Sequence, residues 1–142
     1  HNGRQQEHMR YAIGAGADLV IGHHPHVLQG LEMYKGRTIV YSIGNFCYGG
    51  NRKPRAVEYP SMILGAELYF GADGYAGQRL TIHPYRISGT APRNNYQPLP
   101  ALGPQVQEVM DMIQADTGFP LAPYQDGMGA VQTYVPAEGG AN

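Results

Sequence analysis

Three of the chain's six histidines fall within four consecutive positions, His23-His24-Pro25-His26. Neutral imidazole is a common ligand for divalent transition metals, so one short segment carrying several can serve one metal centre or two adjacent ones. In extended backbone, residues two apart point to the same side, which would project His24 and His26 together. Pro25 fixes its own φ and biases His24 toward extended geometry, lowering the entropy lost on coordination. Gly22, directly before the cluster, permits a sharp exit from the preceding element. Two or three imidazoles do not close a metal site, so further ligands must come from elsewhere. The plainer alternative is that the cluster only shapes a loop.

Other residues offer less. Asn45 could ligate a metal, contact a substrate, or close a strand turn. Arg52, with Lys53 and Arg55, could hold a phosphate or carboxylate, or could be the solvated charges of a loop. Asp18 and Glu32 could orient the imidazoles as outer carboxylates, with Asp18 alternatively capping a turn. His83 falls within a strand pattern. Cys47, the single cysteine, cannot form an internal disulfide, excludes a four-cysteine zinc site, and is expected to be a small buried side chain. There is no phosphate-binding Gly-rich loop, no Gly-x-Ser-x-Gly elbow and no His-Glu-x-x-His helix. No residue is assigned a catalytic role.

The elements that must position these groups follow from periodicity. Met9, Ala12 and Ile13 share a stripe within Arg4 to Ala15, which predicts a helix stopped by Gly14 and Gly16. Asp18 to Gly22 then predicts a short strand buried on both faces, ending at the histidines, where ligands gather in α/β sheets. Val27 to Met33 is open between a turn and a short strand. Thr38 to Ile43 is a second apolar run ending at Gly44-Asn45, and residues 49–60 have loop composition. Met62 to Phe70 alternates with period two, and Gln78 to Ser88 is its expected return after a turn over Gly71 to Gly77. Residues 89–100 form a loop and Gly103 to Thr117 a helix, with Pro104 in its first turn.

Composition sets the outer bounds. The chain has 142 residues, 42% hydrophobic and 15% charged, enough for one packed domain. A net charge of −1 argues against a general nucleic-acid surface. The longest apolar runs fall far short of the roughly 20 residues that span a bilayer, and the opening His-Asn-Gly-Arg does not read as a signal sequence. The 20 glycines, 11 prolines and 11 tyrosines point to many turns and a sheet component, and the helix, glycine turn and strand in succession make the expected class α/β.

The run Gly16 to Gly30, with Gly22-His23-His24-Pro25-His26 at its centre, resembles the bacterial capsule-synthesis CapA family, which takes in the PgsA component of poly-γ-glutamate synthesis. Tyr34 to Arg37 and Tyr41-Ser42-Ile43-Gly44-Asn45-Phe46 are similar to its next blocks, and Gly49 to Arg52 and Arg93 to Pro98 resemble a subgroup. That family is similar to calcineurin-like metallophosphoesterases, so the resemblance implies the carboxyl-terminal half of an α/β/β/α sandwich. On this likeness residues 1–117 would be the carboxyl-terminal portion of a CapA-like domain, and residues 118–142 an irregular Gly/Pro-rich tail. The resemblance implies divalent metal (manganese, zinc or iron) held by His24 and His26, with His23 the alternative first member, since Gly22 lies two residues before His24. Asn45 and Arg52, from the reading of the residues themselves, are the candidate substrate contacts. The family's earlier Gly-Asp, Asn-Leu-Glu and Asn-Asn-His blocks do not occur in the chain. This fragment alone is therefore expected to bind metal weakly and to lack activity, with a sheet edge left open to homo-oligomers. The implied partners are an anionic polymer or its synthase complex, at the bacterial cell surface, with membrane attachment through other parts of a parent protein.

Overall fold

The computed structural model describes residues 1–50 and 52–134. Helix α1 (Gly3–Gly14) opens with a capping box: the Asn2 side chain accepts from the Gln5 N–H at 3.0 Å, and the Gln5 side chain accepts from the Asn2 N–H. This reciprocal pairing satisfies two amide donors that would otherwise lack partners in the first turn. Ile13 and Met9 face Ile39 and Tyr41, so α1 covers one face of a three-stranded sheet.

That sheet is ordered β1 (Leu19–Ile21), β3 (Arg37–Val40), β2 (Leu31–Tyr34), with β1 parallel and β2 antiparallel to β3. The central strand is covered: Ile39 and Val40 are fully buried. The expectation of burial on both faces fails for β1. It has one strand neighbour among the described residues, and Ile21 is 48% exposed. An unbroken apolar triplet signals a strand but does not say how many neighbours it has. Tyr41 and Ser42 leave the ladder yet remain buried, and Leu28 bridges Ile43 beyond it.

The second sheet is built on a long hairpin, β4 (Pro60–Gly71) with β5 (Gly74–Arg86), antiparallel with a register shift at Tyr69 and Phe70. β6 (Leu99–Pro100) and β7 (Ala130–Tyr134) pair with successive stretches of β5's other edge. The period-two pattern holds for Met62, buried, against Ile63, exposed. It fails at the tip, where Phe70 is 61% exposed. Strand β7 departs from the irregular tail expected after residue 117: its five residues lack a distinctive pattern, and the open edge of β5 recruits them. The Glu-Gly-Gly-Ala-Asn end lies outside the described residues.

Helix α2 (Pro104–Ala115) buries Val109, Met110 and Ile113. They join Leu31 and Val40 of the first sheet and Met62, Leu80 and Ile82 of the second in one core. The Gln78 amide also donates to the Thr38 hydroxyl, a polar link from β5 to β3. The molecule is thus mixed α/β, with two sheets and two helices, and the histidine segment leaves the first sheet close to its seam with the second.

Candidate functional site

The histidines leave the end of β1, as the sequence placed them. Gly22 is indispensable there. Its N–H donates to the Val40 carbonyl at 2.7 Å, and a Cβ would collide with Met9 Cε and the Tyr41 carbonyl oxygen.

The segment beyond is bent rather than extended, which corrects the expected geometry. His24 has φ 151° and His26 φ 62°, values that non-glycine residues rarely adopt. Such residues cost on the order of 1–3 kcal/mol each and persist only where their surroundings fix them. The rings nevertheless gather. The His23 and His24 ring centroids each lie 6.3 Å from that of His26, at interplanar angles of 68° and 41°. His23 and His24 are exposed, and His26 is half-buried.

What fixes His26 is visible. Asn45, 3% exposed, places its Oδ1 2.7 Å from His26 Nδ1, and its Nδ2 donates to the His26 carbonyl at 3.2 Å. The buried Ser61 hydroxyl on β4 donates in turn to the Asn45 carbonyl. Tyr48 packs on the imidazole with ring centroids 4.7 Å apart. Asn45 is therefore occupied with the His26 residue itself.

Arg52 lies on the exposed loop that follows Tyr48. Asn94, buried, ties down that loop: its N–H donates to the Arg52 carbonyl at 2.9 Å and its side chain to the Tyr48 carbonyl at 3.4 Å. Asn95 accepts from Ser88 Oγ and from the N–H groups of Gly89 and Gln97, closing the segment that presents Asn94. Glu58 accepts from the Arg55 N–H at 2.6 Å and from its guanidinium at 3.1 Å. These donors, the backbone one foremost and with a lesser pull from His26, hold the Glu58 carboxyl below its ordinary range despite its burial.

The two outer carboxylates go elsewhere. Asp18 pairs with Arg37 at 2.9 Å. Glu32 accepts from Arg10 Nε at 2.8 Å and from the Tyr41 hydroxyl, neither partner being an imidazole. Cys47 is exposed, contrary to expectation, because the loop it belongs to turns outward after Asn45. Sequence reading missed Tyr48, Glu58 and Ser61; nothing in their local spacing marks them, and only the tertiary fold brings them near His26.

Among the described residues, no group of three or more His, Cys, Asp or Glu side chains is arranged to hold a metal ion. The donors fit a borderline divalent metal in kind, being imidazoles, and fall short in number.

Residues 1–49 match the family described as bacterial capsule synthesis protein PGA_cap. Over that stretch, the chain is similar to the capsule synthesis family. It is 51% identical over 47 residues to the PGA biosynthesis protein CapA of Bacillus subtilis (strain 168), covering 33% of this chain and 12% of that protein. It is 49% identical over 45 residues to the capsule biosynthesis protein CapA of Bacillus anthracis, covering 32% of this chain and 11% of the relative. An uncharacterized Sinorhizobium fredii protein, y4sH, is 45% identical over 65 residues, 46% of this chain and 12% of its own length. The family stretch contains His23, His24, His26 and Asn45, and ends before Arg52, Glu58 and Ser61.

Proposed function

We propose that the chain supplies the histidine-bearing part of a divalent-metal site in a protein of capsule or poly-γ-glutamate synthesis at the bacterial cell surface, with a metallophosphoesterase-like sandwich as the whole. The observation that carries this reading is the gathering of three imidazoles on a strained bend, with one of them gripped from behind by a buried amide. Strain held in place at the end of a sheet strand is characteristic of functional segments. His24 and His26, with His23 adjacent, would hold the metal, and the remaining ligands would come from beyond the described residues. Held there by the imidazoles of His24 and His26, such a metal would supply Lewis acidity toward a water and toward negative charge developing in a phosphoester or amide substrate. This chain's own contribution is to present the rings and fix the orientation of His26, while Arg52 stands on the neighbouring loop as a candidate contact for an anionic substrate. Partners on this reading are the anionic polymer or its synthase complex.

The shortfall in donors favours a second reading, a non-catalytic module whose histidine bend contacts a synthase partner. Calorimetric titration with Mn²⁺ and Zn²⁺ separates the two. Weak stoichiometric binding that disappears in the His24→Ala/His26→Ala double variant supports the metal site. No binding at saturating metal, or binding indifferent to the double variant, overturns it and leaves the second reading.

A further inference from the structure

The hydrogen bonds around Asn45 determine more than the position of His26. An Asn side chain offers a donor and an acceptor, and its orientation is known only when one end has an unambiguous partner. Here the partner is the His26 backbone carbonyl, an acceptor in every protonation state, 3.2 Å from Asn45 Nδ2. Reversing the amide would set two carbonyl oxygens against each other in a site where Asn45 is almost wholly buried. The Nδ2 end must therefore face the carbonyl, and the Oδ1 end must face His26 Nδ1, 2.7 Å away. Oδ1 has no proton to give. The proton in that bond belongs to the imidazole.

We infer that Asn45 is a positioning residue that locks neutral His26 as the Nδ1–H tautomer, leaving Nε2 as the only lone pair with which the ring can take a cation. Solvated imidazole favours the opposite tautomer, so the choice is imposed by the fold. Ser61 supports it by holding the Asn45 backbone from the second sheet, and Tyr48 restricts ring rotation by covering one face. The consequence for metal binding rests on the cation reading above; the tautomer itself does not.

Long-range ¹H–¹⁵N correlation of the ¹⁵N-labelled chain, recorded with pH raised until the His26 ring ¹⁵N shifts stop changing, reads this directly on the neutral ring. Loss of its signals in His26→Ala assigns the ring. The expected result is a protonated-type shift for His26 Nδ1 and a lone-pair-type shift for Nε2; the reverse pattern overturns the inference. Asn45→Ala loses the expected pattern while circular dichroism remains native. A folded Asn45→Ala chain that keeps the pattern refutes the role of Asn45. Should Asn45→Ala fail to fold, the wild-type spectrum decides alone. Zn²⁺ that leaves every His26 shift unmoved counts against the metal site and leaves the tautomer assignment standing, so the two failures are distinguishable.

Discussion

At the scale of single residues, identities and roles separate sharply. The histidine cluster and Asn45 stand out in the sequence, because imidazoles so close together are chemically distinctive and Asn45 closes an apolar run. Their relation to one another does not. A bond between residues 26 and 45 depends on a chain reversal that no local pattern encodes, and the bend at His24 and His26 defeats the extended geometry Pro25 suggested. Small residues carry equal weight. A Cβ at Gly30 would overlap the Asp116 carbonyl and approach the Thr117 nitrogen to 2.8 Å, all backbone atoms with little freedom to retreat. Gly30→Ala should therefore cost about 1–3 kcal/mol or more, as overpacking does, measured as a lower urea midpoint with an unchanged m-value. A midpoint equal to wild type would mean that the loop before β2 does not approach the end of α2 so closely.

At the scale of elements, long periodic segments were legible and short or strand-edge ones were not. Helix α1, helix α2 and the β4–β5 hairpin fall within a few residues of their expected bounds, since stripes and alternation extend over ten or more positions. β7 eluded the sequence because a strand added to an existing edge needs little pattern of its own. The docking of α2 is open to test. Ile113 is fully buried in the core that joins both sheets, so Ile113→Ala should cost about 2–5 kcal/mol. Leu102, 72% exposed just before the helix, should change stability by no more than about 0.5 kcal/mol when truncated. Equal losses in thermal or urea melts would contradict the packing of α2 against β4 and β5.

At the scale of the whole molecule, electrostatics and the arrangement of the two sheets dominate. Burial pushes the Glu32 carboxyl up, but hydrogen bonds from Arg10 and the Tyr41 hydroxyl outweigh it and hold the group below its ordinary range; burial and the Glu32 charge together push the Tyr41 phenol up. Glu58 is also depressed. A depressed carboxylate adds stability that is present above the ordinary glutamate value of 4.5 and is lost as pH falls through the lower folded values. Melting temperature should accordingly decline below about that pH. Glu32→Gln should melt lower at neutral pH and show a shallower acid decline; an unaltered slope would remove Glu32 from the account. No helix among the described residues is long and apolar enough to cross a membrane. The contact that joins Ser61 of the second sheet to Asn45, and through it to His26, has a mechanical corollary. A force or partner that slides one sheet over the other would tug on an imidazole, and the chemistry offered at its far nitrogen would register the strain.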